Sequence, residues 1–184
     1  MTAADDGCFL KSTERCHRGG PRNTRATTVR LGDDAARKQY RDILSFNTSL
    51  LPDGAVITKA TLKLRRQSIT GGGNPFSIFQ GLMIDMRKGF FSTVAALQNA
   101  DFQAAASKPN LGPFNPAPIG TLYTITIPST AYPYINKLAT NGGLTQLRLR
   151  FKLDDNNNAI ANLINFYSGS AASASQPVLT ITYH

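Results

Sequence analysis

Tryptophan is absent from this chain, histidine and cysteine occur twice each, and Asp and Glu number 11 against 20 Lys and Arg. Each scarcity removes a class of function. Without Trp there is no indole platform for stacking sugar rings, so Tyr132, Tyr134 or Phe114 would have to serve. A zinc set needs about four ligands, and none assembles when His17 and His184 are the only histidines. Neither histidine stands near a nucleophile motif. The paired aspartates Asp5-Asp6, Asp33-Asp34 and Asp154-Asp155 read as surface turns rather than as the two separated carboxylates of a glycosidase. The chain is therefore not expected to be an enzyme. No run approaches the roughly 18 consecutive apolar residues of a membrane span, so no membrane insertion is expected. The first residues, Met1 to Asp6, lack the basic and apolar blocks of a secretory signal, as an initiator Met placed before a mature domain also would.

What is present points to one folded domain over residues 1–184. Hydrophobic residues make up 41% of the chain and charged residues 17%, enough for a core and too few charges for disorder. The formal charge of +9 favours acidic partners: nucleic acid, uronate-rich polysaccharide or an anionic cell surface. Arg15, Arg18, Arg22 and Arg25 lie in a loop rich in Gly and Pro, and the other cations are spread along strands. No basic helix and no aromatic-interleaved basic run occurs, which disfavours nucleic acid.

Alternation with period 2 is the dominant pattern, because successive strand side chains point to opposite faces. Ala60, Leu62 and Leu64 alternate with Thr61, Lys63 and Arg65. Leu147, Leu149, Phe151 and Leu153 alternate with Arg148, Arg150 and Lys152, and Leu82, Ile84 and Met86 with Met83, Asp85 and Arg87. Further strands are expected over 7–11, 26–31, 40–46, 122–127, 160–167 and 178–183. Turn clusters separate them at 18–21, 51–54, 71–75, 141–143 and 154–158. Short helical turns are expected within 93–106 and 129–139, and the proline-rich stretch 108–120 reads as an extended connection. The expected fold is all-β: a jelly-roll β-sandwich of about nine antiparallel strands with one or two short helices.

The run Arg30-Leu31-Gly32-Asp33-Asp34, then Gln39-Tyr40-Arg41-Asp42-Ile43-Leu44-Ser45-Phe46-Asn47, then Ser49 to Leu64 (SLLPDGAVITKATLKL) is similar to the DNRLRE-domain family of secreted bacterial and archaeal modules. Asp85 to Gly89, Asp101 to Ala106, Leu147 to Phe151 with Asp154 to Asn157, and Phe166 to Gly169 continue the likeness. The resemblance implies a non-catalytic jelly-roll module, secreted or at the cell surface, related to carbohydrate-binding modules, with alginate-type acidic polysaccharide among the ligand classes. Two features depart from the family pattern. Asn47 stands where Asp is usual, and Cys8 and Cys16 with their basic loop are additional.

Three groups of residues are candidates for chemistry. If Lys63 and Arg65 share a sheet with Arg148, Arg150 and Lys152, their outward side chains form a ladder for carboxylates, with Tyr40 and Arg41 beside it; the alternative is a face that confers solubility. Asp154, Asp155 and Asn156, with Asp33 and Asp34, supply oxygens for a structural calcium ion, or else form ordinary polar turns. Cys8 and Cys16, with seven residues between them, form a disulfide if the protein is exported, or remain thiols. Two functions follow as expectations. One is a carbohydrate-binding or adhesion module for acidic polysaccharide, and the other is a structural subunit of a cell-surface layer or filament whose partners are copies of itself.

Overall fold

The alternation along Ile57–Thr70 shows how the fold closes on itself. Ala60, Leu62 and Leu64 are fully buried while Lys59 and Lys63 are exposed, so this strand lays one side on the core and turns the other to water. The computed structural model describes residues 7–11 and 19–184. Among them are eleven strands: β1 (Gly7–Lys11), β2 (Gly19–Asn23), β3 (Thr28–Asp33), β4 (Gln39–Asn47), β5 (Ile57–Thr70), β6 (Leu82–Lys88), β7 (Lys108–Phe114), β8 (Leu122–Ile127), β9 (Leu144–Phe151), β10 (Asn162–Tyr167) and β11 (Val178–Tyr183). One short helix, α1 (Pro75–Ile78), and single 3-10 turns at Asn99–Phe102, Ser129–Tyr134, Asn141–Gly143 and Ser173–Ser175 complete the elements.

The strands form an all-β sandwich whose layers share β5. The first part of β5 pairs with β11 on one side and β8 on the other, making a three-stranded layer. Its last residues pair instead with β10, which begins the larger layer β10-β3-β4-β9-β6-β7. Every strand pairing in both layers is antiparallel, and most neighbours are distant in sequence. The β1–β2 hairpin joins through β1 to β4.

Side chains from both layers meet in one core. Leu62 and Leu64 of β5, Ile125 and Ile127 of β8, Leu44 of β4, Leu147 and Leu149 of β9 and Ile164 of β10 belong to a single cluster. Helix α1 adds Phe76, whose ring stacks on Tyr123 with centroids 5.2 Å apart, and the following Phe79 stacks on Phe151 at 5.1 Å. Asn74 caps that helix by accepting the Phe76 N–H.

Nine of the described strands lie where the sequence leads one to expect strands, and the other two arise where composition points elsewhere. The stretch 18–21 reads as a turn, yet Gly19–Asn23 pairs with β1. The proline-rich stretch after residue 108 begins with β7, an edge strand against β6 whose register slips between Leu82 and Ile84 and between Ile84 and Met86. An edge with bulges is where a strand tolerates Pro109 and Pro113, which lack the ladder N–H. Helical turns form inside both expected segments, at Asn99–Phe102 and Ser129–Tyr134. Cys16, and with it the expected Cys8–Cys16 bridge, lies outside the described residues.

Candidate functional site

The residues expected to form one basic ladder fall into two groups on different layers. Lys63 and Arg65 lie on β5 of the three-stranded layer, whereas Arg41, Arg148 and Arg150 lie on β4 and β9 of the larger one. Strands β10, β3 and β4 separate β5 from β9, so the shared ladder does not form.

On the larger layer, the outward face is covered. Ile43 lies opposite Arg148, and Arg148 opposite Asp85, placing these side chains in one row across β4, β9 and β6. The segment 89–107 crosses this face, and its Phe91, Leu97 and Phe102 form a second apolar cluster with Ile43. Polar side chains of the sheet fasten the segment by its backbone. Gln146 accepts the Phe91 N–H at 2.8 Å and donates to the Ala95 carbonyl at 3.0 Å. Arg148 Nη1 donates to the carbonyls of Asp101 (2.7 Å) and Ala104 (2.8 Å), and Arg41 Nη1 to that of Phe102 (2.8 Å). Both guanidinium groups also lie over rings of the segment, Arg41 4.2 Å from the Phe102 centroid and Arg148 4.6 Å from that of Phe91.

Asp85 neutralises much of this charge. Its Oδ2 accepts from Arg148 Nη2 (2.9 Å) and Nε (3.2 Å) and more distantly from Arg150 Nε (3.4 Å), while Oδ1 accepts the Asn110 N–H (2.8 Å). Burial raises the Asp85 pKa, but the Asn110 N–H and the Arg148 and Arg150 charges outweigh it and hold the carboxyl below its ordinary range. Burial lowers Arg148, and it brings Arg41 down to about 10 with help from the neighbouring Arg148 and Arg150 charges. Both stay cationic at neutral pH. Asp85, Gln146 and the carbonyls that Arg41, Arg148 and Gln146 reach are the partners that sequence reasoning missed; the apolar Phe91, Leu97 and Phe102 were the available signal that this face is covered.

The outward face of the three-stranded layer is open to solvent and its strands carry no acid. Thr180 of β11, Thr61 of β5 and Thr126 of β8 are directly opposite one another, as are Val178, Lys63 and Thr124. Along β5 the same side carries Lys59, Thr61, Lys63 and Arg65, at the roughly 6.6 Å spacing of alternate strand residues. No Asp or Glu occurs in β5, β8 or β11. Arg65 donates to the Thr121 hydroxyl at 3.3 Å. Among the described residues, Lys59 and Lys63 have no carboxylate partner. Lys59 extends the period-2 pattern by one step and was not picked out from the sequence.

The remaining candidates are dispersed. Tyr40 is half-buried with Arg30 at 6.0 Å from its ring, and Lys152 is exposed beyond the end of β9. Tyr132, Tyr134 and Phe114 are half-buried and pack against the core. Of the calcium candidates, Asp33 is buried and accepts the Asn156 and Asn162 N–H groups, and Asp34 accepts those of Ala36 and Lys38. Asp155 accepts the Asn157 N–H and Asn156 that of Asn158, while Asp154 lies 3.8 Å from Arg41. These oxygens build the turn itself. No group of three or more His, Cys, Asp or Glu suited to a metal forms among the described residues. No protein-family model matches the chain, and no curated protein matches it.

Proposed function

We propose that the protein is a non-catalytic binding module, secreted or at the cell surface, that holds an acidic polysaccharide on the outer face of β8, β5 and β11. The observation carrying this reading is that Lys59, Lys63 and Arg65 stand in file on a sheet face whose three strands contain no acidic residue. An extended polymer with a carboxylate on each sugar meets repeated cations along such a file, and the threonine rows offer hydroxyls to the sugar hydroxyls. The similarity of residues 30–64 to the DNRLRE-domain family supports the same reading, since acidic polysaccharide is among the ligand classes it implies.

The test is affinity electrophoresis through gels containing alginate, pectin or a neutral glucan. Retardation by the two acidic polymers, lost at raised salt and absent with the glucan, is the expected result. Equal mobility in all three gels would sink the reading.

Self-association has one observation in its favour. Among the described residues, strand β11 is hydrogen-bonded on one side only, to β5, and its sequence Val178–Tyr183 contains no charge or proline to discourage pairing with another copy. A protein that remains monomeric at high concentration in sedimentation would contradict it.

A further inference from the structure

A cleft of about 400 Å³ lies on the opposite layer, independent of the β5 cation file, lined by Arg41, Arg148, Arg150, Asp85, Asn110 and residues 103–106 and 109. Its lining is rich in cations: three guanidinium groups and one carboxylate, Asp85. Two further carboxylates act from outside the lining: Asp154, 43% exposed, pairs with Arg41 at 3.8 Å, and the Asp101 charge supports Arg148 while its Oδ2 accepts the Gln98 N–H at 2.7 Å.

The arginines are also under-used as donors. A guanidinium has five N–H groups. Arg41, only 7% exposed, makes two hydrogen bonds, to the Gln39 side chain and the Phe102 carbonyl, and its Nη2 is held by the longer, 3.8 Å ion pair with Asp154. Arg150 reaches Asp85 at 3.4 Å, its neighbour's carbonyl at 3.3 Å and Asn110 at 2.5 Å. No arginine nitrogen is among the buried atoms without a partner in the described residues, so the N–H groups left over are open to a further acceptor.

We propose that this cleft binds one small oxyanion, a carboxylate or a tetrahedral oxyanion such as sulfate, between Arg41 and Arg150 beneath residues 103–106. The anion supplies the acceptors that the arginines lack. Because Arg41 and Arg148 also hold the carbonyls of Phe102 and Ala104, occupancy tightens the 89–107 segment on the sheet. The cleft is large enough for a single sugar-acid unit as well as for an inorganic ion, and the shared requirement is a compact negative group that accepts forked hydrogen bonds.

The experiment follows backbone amide shifts and thermal unfolding of the whole chain during separate titrations with sodium sulfate, sodium glucuronate and glucose, with ionic strength held constant by chloride. At least one of the two anions is expected to shift the amides of Ala104–Ala106 and Asn110 saturably and to raise the melting temperature, while glucose does neither. Saturation by sulfate and glucuronate alike marks a general oxyanion site, and saturation by glucuronate alone marks a sugar-acid subsite. Arg150→Gln, at a partly exposed position, should weaken binding about tenfold or more, whereas Lys63→Gln should leave it unchanged. The absence of saturable shifts at those amides with either anion would overturn the proposal without bearing on the β5 face. So would a melting-temperature gain identical in Arg150→Gln, because that is the signature of general exclusion of sulfate from protein surface.

Discussion

Two buried aspartates carry opposite consequences. Asp85 is held below the ordinary carboxylate range, so its contribution to stability is present above about pH 4 and is lost as pH falls through its lowered folded value. Asp85→Asn leaves Arg148 buried without its partner and is expected to cost about 3–5 kcal/mol in urea unfolding at neutral pH. A loss of under about 1 kcal/mol would mean that the pair is solvated like a surface bridge. Asp42 is the reverse case. It is fully buried; burial pushes its carboxyl well up, against the Arg30 N–H and charge, and its Oδ2 has no hydrogen-bond partner among the described residues. The unfolded chain ionises near pH 4 while the folded one keeps its proton, so stability is lost as pH rises, by up to about 1.4 kcal/mol per unit, until the folded value is passed. Asp42→Asn removes that dependence. Its stability relative to wild type should improve as pH rises above the unfolded value of about 4, and a difference that does not change with pH would contradict the assignment. Neither aspartate was distinguishable from a solvated one in the sequence, since alternation gives the side of the sheet and not what lies over it.

Among the elements, β5 and the 89–107 segment show where such reading succeeds and where it stops. Ala60, Leu62 and Leu64 announce the core side of β5 by period alone, and Leu62→Ala should cost about 2–5 kcal/mol, measured by chemical denaturation. The strand extends to Thr70, past the alternating residues, because β10 supplies backbone partners for Ser68, Ile69 and Thr70 whatever their side chains. The β9 pattern has the same form as that of β5, yet Arg148 is 5% exposed and Lys63 faces water. The difference lies in a separate stretch of chain, distant in sequence, that folds over one sheet and not the other. Arg148→Gln keeps a hydrogen-bonding side chain but loses the fork that holds two carbonyls and Asp85. Hydrogen exchange at amides 98–105 should speed up at least about tenfold, equivalent to about 1.4 kcal/mol of local opening, while the β5–β8 amides stay protected. Uniform acceleration across the chain would show that the segment is not a separable unit.

At the scale of the whole molecule, the +9 charge is divided by task. Arg41 and Arg148 on the outward face of the larger layer are buried beneath a covering segment and fix it, while Lys59 and Lys63 on the three-stranded layer face solvent on strands without acidic residues. The all-β sandwich was legible from period and turns; this division was not, because equal stretches of Lys and Arg acquire different roles from what packs over them. Exposed cations should respond to salt over a Debye length of about 10 Å at 0.1 M, and buried ones much less. The most direct measurement is calorimetric titration of polygalacturonate into wild type, into Lys59→Gln/Lys63→Gln and into Arg150→Gln, all at low salt. Affinity should fall at least about tenfold in the double variant and change little in Arg150→Gln. Undiminished heat from the double variant, or no heat from wild type, would contradict the placement of the ligand on the β5 face.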